Sequence, residues 1–269
     1  RVLMRASGKM DVSSQLQALV NSGKLFASND EDAKLAYLSA QPSANPLYES
    51  IVYGTRGEWK INEVVVTLLE SSSDPRLSVY AQKNADGDYR GKPSGYTDLP
   101  SDDWGYENVS ALGEFYLRPE LPGFFVSYPE IKFLMAEAAT KGYISGGASM
   151  ANTNYIEGIR ASFEYNEVPA GAIANYLAER VLAADTPTAL EQIATQNYLA
   201  LFSQGVESWT EWRRTGIPAL TPAIEGDLNE IPSRYNYPTT ENSINKTNYD
   251  AAVASQGPDL LTTPIWWMN

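Results

Sequence analysis

The chain has 269 residues, long enough for one large domain, and its 43% hydrophobic and 20% charged content is that of an ordinary globular protein. Thirty-three acidic against 20 basic residues give a formal charge of −13, so no nucleic-acid partner is expected; the only dense basic group, Arg213-Arg214, is too small for a binding stripe. With neither Cys nor His, disulfides, thiolate nucleophiles, Cys-ligated zinc, Ser-His-Asp triads and histidine bases are excluded, which leaves carboxylate or lysine chemistry and oxygen-ligated calcium.

Arg1-Val-Leu-Met-Arg-Ala is neither an initiator methionine nor a signal peptide. It reads as the interior of a helix with a basic face, so the sequence is expected to be part of a longer chain whose N-terminal region is missing. No run reaches the roughly 18 apolar residues that cross a bilayer; Ile61–Leu69, among the richest, contains Asn62 and Glu63. One domain over 1–269 is expected, mainly α. It would be helical over 1–80, a loop-rich insertion over 81–127, a helical core over 128–214 and an extended Pro- and Asn-rich tail over 215–269.

Asp11–Leu19 predicts a short helix stopped by Asn21-Ser22-Gly23. Asn29-Asp30-Glu31-Asp32 places acids at the start of a further helix running to about Ala40, where they favour the positive end of its dipole. From Glu58 to Leu69, Val64-Val65-Val66 favours a strand, but the length and charged start favour a helix, and helix is the reading taken. Asp74-Pro75 ends it. Residues 81–106 carry successive turn signals, with room for at most one small β-hairpin. Asp86-Gly87-Asp88 begins like a calcium loop, but the twelfth position is Thr97 rather than Glu, so a plain turn and no metal site is expected.

The clearest helix follows Tyr128-Pro129, with Ile131, Phe133, Leu134, Met135, Ala138 and Ala139 on an apolar face. Gly146-Gly147 turns it into a second helix from about Ser149 through Phe163, making a helical hairpin. Thr186-Pro187 opens a third, and Val206–Arg214 forms a short aromatic one. Helix pairs of this size are of the tetratricopeptide type, although no clean repeat is present.

Carboxylates are the main catalytic option left. Glu207 and Glu211 lie four residues apart between Trp209 and Trp212, and Glu137 falls within an apolar series. A glycoside hydrolase needs two such acids across a sugar. The plainer reading pairs Glu207 and Glu211 with the adjacent arginines and makes Glu137 a structural anchor.

Rings offer a different chemistry. Nine of the 40 residues from Tyr89 to Tyr128 are aromatic, about double the chain's 11%. Trp and Tyr faces stack on sugars while their polar edges make hydrogen bonds. Trp104 and Tyr106, beside Asp102, Asp103 and Asn108, are the best candidates for a ligand platform, with Tyr89 and Tyr96 as further members. The plainer reading is that these rings, and Phe115, Phe124 and Phe125 more strongly, fasten a long loop to the helical body. Pro264-Ile265-Trp266-Trp267-Met268 is expected to dock into the core. Asn108-Val-Ser and Asn245-Lys-Thr match glycosylation sequons, a weak signal.

Several segments together resemble the SusD/RagB family of nutrient-binding outer-membrane lipoproteins. Ser127–Ala139 is similar to its hallmark helix, with an aromatic-x-Glu start and an Ala-Glu-Ala end, and Tyr155–Tyr165 to the next helix. Asn197–Gly216, containing Glu211-Trp212-Arg213-Arg214, resembles a later block, and Ile231–Pro238 and Pro264–Trp267 its tail. Asp74-Pro75-Arg76-Leu77 and Tyr89–Gly95 fit its middle.

The resemblance implies tetratricopeptide-like helical hairpins with long irregular loops. It also implies an N-terminal lipid anchor at the outer membrane of Bacteroidota, in a region absent from this sequence. It further implies capture of oligosaccharide, or in some branches peptide, for delivery to a SusC-like TonB-dependent transporter, with no cofactor and no catalysis. Ligand contacts vary across the family, so no site residue is carried over. The competing readings are a peptide-binding or protein-interaction scaffold of tetratricopeptide type, and a glycoside hydrolase using two of Glu137, Glu207 and Glu211.

Overall fold

The computed structural model describes residues 1–268, with short elements and loops before residue 128 and long helices after it. Helix α1 (Val2–Ala6) leads to α2 (Ser13–Asn21), which stops where Gly23 takes a left-handed conformation. The helix expected over 29–40 does not form. Asn29–Glu31 make one 3₁₀ turn capped by the Ser28 hydroxyl, and Ala33–Leu35 continue as strand β1. The acids serve another helix: the Asp32 carboxylate accepts the backbone N–H of Tyr128 at 2.6 Å, satisfying a donor that a helix start leaves unpaired.

A π-helical stretch spans Tyr48–Tyr53. Next, α3 (Glu63–Ser71) is helical as expected. Asn62 caps it by accepting from Val64 N–H at 2.8 Å, and Val65, Val66 and Leu69 supply a buried stripe that outweighs the β preference of valine. Then come α4 (Leu77–Tyr80), α5 (Ser101–Trp104), a 3₁₀ turn over Glu114–Leu117 and strand β2 (Gly123–Val126). Strands β1 and β2 pair antiparallel, Leu35 opposite Gly123 and Ala33 opposite Val126. The small sheet is thus a long-range pair rather than a turn-linked hairpin within 81–106. Alternation along β2 leaves Phe125 63% exposed, so it does not fasten the loop, whereas Phe124 meets the edge of Tyr165.

The main body follows. Helix α6 (Tyr128–Thr140) turns through Gly142 and Gly146, both left-handed, into α7 (Gly147–Tyr165). Helix α8 (Ala170–Ala178), which sequence reading passed over, starts after Pro169. Helix α9 (Thr186–Ala200) is capped by Asp185, which accepts from Thr188 N–H at 3.0 Å, and α10 (Gly205–Thr215) ends at left-handed Gly216. The tail is only partly extended, since it contains α11 (Thr239–Ile244) and α12 (Lys246–Gln256).

Packing of α6 on α7 organises one core: Phe133 and Ala136 meet Tyr155, Ile159 and Phe163, with Ile173, Tyr176 and Ile193 from α8 and α9 closing it. Each fully buried side chain of this kind contributes roughly 1.5–3 kcal/mol. A Cβ at Gly158 would lie 2.8 Å from the Phe133 ring, so the two helices approach this closely because residue 158 has no side chain. A second core joins α3 and α4 to the loop region. Tyr80 stacks on Phe202 at 4.1 Å and donates to the Leu199 carbonyl at 2.8 Å, and Phe115 and Tyr116 pack beside it. These rings do fasten the loop to the helices. The two cores are linked by Arg76, fully buried, which donates to Asp74, Ser162 and Gln196 and lies over Phe163. The terminal plug docks incompletely: Trp267 takes Arg213 over its ring at 5.1 Å, but Trp266 is 67% exposed.

Candidate functional site

Residues 57–62, 90–92 and 108–112 run side by side on the loop face. Ile61 N–H donates to Ser110 O at 3.0 Å, Lys92 N–H to Ile61 O at 2.7 Å, and Ser110 N–H to Arg90 O at 2.8 Å. Alternation along extended chain then sorts the side chains. Ile61 and Ser110 are buried, whereas Lys60, Arg90 and Lys92 are only half-buried. Gly91 permits the arrangement, because a Cβ there would fall 2.2 Å from the Glu63 Cα. Lys60 and Lys92 are consequently neighbours, and burial together with the charge of Lys92 holds the Lys60 ammonium below its ordinary pKa.

Over this surface folds the loop carrying most of the sequence-derived site. Asn108 ties it down, donating from its side chain to Asp102 O at 2.7 Å and from its backbone to Gly105 O at 3.0 Å. Its own carbonyl accepts from Asn84 at 3.1 Å. Trp104, half-buried, has the Arg90 guanidinium 4.1 Å from its ring centre. Tyr106 is 57% exposed and lies against Gly57; Lys60 sits 5.2 Å from its ring centre and donates to its carbonyl at 2.9 Å. Tyr89 faces the other way from Arg90, packing on the core with Lys83 5.6 Å from its ring.

Tyr96 stands apart, 41% exposed on a segment held to the tail. Gly95 abuts Ala223, and Thr97 donates from backbone and hydroxyl to Glu225 at 2.6 and 2.5 Å. This contact borders a groove of about 680 Å³ lined by Asn62, Ser94, Tyr198, Asp227 and Glu230 among others. The fold therefore brings Trp104, Tyr106 and Asn108 into one loop, with Tyr89 on its inner side and Tyr96 at a separate rim.

Sequence reasoning missed Trp59, which is 44% exposed and donates to the Ser50 hydroxyl at 3.2 Å, and Tyr53, 64% exposed. It also missed Lys60. The aromatic count began at Tyr89, and nothing local announces that residues 57–60 lie beneath Tyr106.

The carboxylates form ion pairs. Glu137 receives both terminal nitrogens of Arg214 at 2.6 Å and Lys141 at 2.7 Å, and Glu211 also binds Arg214 at 2.7 Å. Glu207 pairs with Arg1 and Arg5, and Arg1 also holds the buried Glu130, so the basic face of α1 is matched by acids of α6 and α10. The cavity beside Glu137 and Glu211 has a volume of about 10 Å³, far below that of a sugar ring. Asp86-Gly87-Asp88 is a turn, the backbone N–H groups of both Asp86 and Asp88 donating to the Asn84 side chain. Among the described residues no cluster of three or more acids is arranged to hold a metal ion, and no helix is long and apolar enough to cross a membrane.

Helical hairpins packed beneath a face of long ring-bearing loops place the protein in the SusD-like structural class. The chain belongs to the SusD-like family described as starch-binding and associating with the outer membrane, whose model matches residues 1–238. Among similar solved structures is a chitin-binding protein, 26% identical with a TM-score of 0.84; the match covers 99% of this chain and 62% of that one. Two SusD homologues from Bacteroides fragilis are also similar. One is 26% identical with a TM-score of 0.84, covering 100% of this chain and 65% of that one. The other is 27% identical with a TM-score of 0.82, covering 99% and 64%. The chain thus spans less than two thirds of the length of these structures. No curated protein matches it in sequence.

Proposed function

We propose that this chain is the ligand-presenting part of a non-catalytic, cell-surface protein that binds oligosaccharide and delivers it to a SusC-like TonB-dependent transporter. The observation that carries the reading is the exposed Tyr106 ring, backed by Lys60 and carried on the same loop as Trp104 above three hydrogen-bonded segments. Sugar rings present C–H faces that stack on such rings, and their hydroxyls suit the hydrogen-bonding groups around them. Tyr106, Trp104 and Tyr96 offer contact surface, whereas Tyr89 and Asn108 position the loop. Family membership supports a glycan ligand and an outer-membrane setting.

Absence of catalysis is supported by the fate of the acids: Glu137 and Glu211 converge on Arg214 instead of facing each other across a sugar-sized space. A glycan array probed with this chain tests the reading. Binding to a defined oligosaccharide set without release of shorter sugars is expected. Binding to extended peptides alone would favour the scaffold alternative, and sugar release would favour a hydrolase.

A further inference from the structure

Two rings of the loop face each carry a cation, Lys60 on Tyr106 and Arg90 on Trp104, and Lys83 lies over Tyr89 on the inner side. Lys92 completes the group beside Lys60. None of the four has a carboxylate within ion-pair distance among the described residues, in a chain whose formal charge is −13. Acids are near, Glu70, Asp86 and Asp88 lining one hollow with Lys83 and Arg90, yet among the described residues none forms an ion pair with the four cations. Glu58 pairs with Arg56, while Asp102, Asp103 and Glu107 stand exposed on the overlying loop. An acidic protein has ample carboxylate to neutralise four cations. Here the backbone register instead holds two lysines together, and burial first, then the charge of Lys92, lowers the basicity of Lys60.

We propose that this face binds an anionic oligosaccharide, with the sugar ring against Tyr106 and its acidic substituent between Lys60 and Lys92. This rests on the glycan-binding reading above and deepens it by assigning the charge of the ligand. An incoming carboxylate or sulfate relieves the repulsion between the lysines and gains charge-assisted hydrogen bonds. Tyr106 is 57% exposed, which leaves ring surface next to Lys60 for the sugar. Uronate carboxylates and sulfate esters share the required chemistry.

The test compares oligogalacturonides with their methyl esters, and a sulfated galactan oligosaccharide with its desulfated form, by calorimetry on the whole chain. Each pair keeps the sugar backbone and removes only the charge. At least one charged member is expected to bind roughly tenfold or more tightly than its neutral partner. That preference should shrink with added salt, fall in Lys60→Gln and Lys92→Gln, and persist in Lys60→Arg. Which pair shows it distinguishes carboxylate from sulfate. Equal binding of charged and neutral members overturns the anionic assignment while leaving glycan binding in place. Failure to bind any oligosaccharide overturns both. Equal or tighter binding of an oligoglutamate peptide overturns the sugar assignment, leaving an acidic-peptide site.

Discussion

Arg214 and Glu137 form a two-pronged ion pair, Nη1 to Oε1 and Nη2 to Oε2 both at 2.6 Å, that joins the end of α10 to the end of α6. Both side chains are at least nine-tenths buried, so the pair is hardly screened by solvent. Removing one partner strands the other charge. Arg214→Met is therefore expected to cost about 3–5 kcal/mol in chemical denaturation. Arg214→Lys should recover little of it, because an ammonium cannot reproduce two parallel bonds to one carboxylate while also holding Glu211.

The same pair sets an acid limit. Burial alone would raise the Glu137 pKa, but the charge and hydrogen bonds of Arg214, then of Lys141, outweigh it and bring the value down to about 2. A carboxylate depressed on folding contributes stability above its ordinary value of 4.5, and that contribution is lost as pH falls from there towards about 2. On the order of 3 kcal/mol is at stake. Urea midpoints measured from pH 6 down to pH 2 should fall steeply in the native chain. In Glu137→Gln, already destabilised at neutral pH, the slope should be shallower.

Alkali should act through tyrosines. Burial, with the nearby Glu157, pushes Tyr128 up to about 12, and burial, with Tyr176, pushes Tyr155 up to about 12. Groups raised on folding contribute stability that is full below their ordinary value of 10.0 and is lost as pH rises towards about 12. Tyrosinate absorbance should therefore rise in two stages, exposed rings first and the remainder together with loss of helical circular dichroism.

Arg76 is expected to be among the most sensitive residues. It is wholly buried and its guanidinium donates to Asp74, Ser162 and Gln196, which come from three separate parts of the chain. Arg76→Ala would leave Asp74 as an uncompensated buried charge, costing about 3–5 kcal/mol. The measurable outcome is loss of the cooperative thermal transition, or a large fall in its midpoint.

Gly158→Ala tests the α6–α7 contact. The added methyl would meet the fully buried Phe133 ring at 2.8–3.0 Å, and only a cavity of about 10 Å³ adjoins that ring. Overpacking of about 1–3 kcal/mol is expected, against a gain of at most about 1 kcal/mol from improved helix propensity. A net stabilisation would show the helices able to separate at little cost.

The long helices were legible because their information is local. Leu134 and Ala138 recur with helical spacing, as do Tyr155 and Ile159, and Pro129, Gly146, Asp185 and Gly216 mark ends by their own backbone chemistry. The expected helix at 29–40 failed because its acids looked like a helix start, while Asp32 was needed by Tyr128 and Lys34 by a strand pairing with Phe124. Such demands from distant chain leave no local signature. The loop face divides the same way: Trp104 and Tyr106 stood out as rings among turns. That Lys60 and Lys92 lie beneath that loop follows from hydrogen bonds among residues 61, 90, 92 and 110, which composition does not encode.

The most direct measurement is calorimetric affinity of the native chain and Tyr106→Ala for the tightest oligosaccharide found on an array, with Phe125→Ala as an exposed-ring control on β2. Loss of the Tyr106 ring should weaken binding roughly tenfold, about 1.4 kcal/mol, with the melting temperature unchanged and Phe125→Ala binding like the native chain. Undiminished affinity in Tyr106→Ala would contradict the assignment of this loop face as the sugar platform.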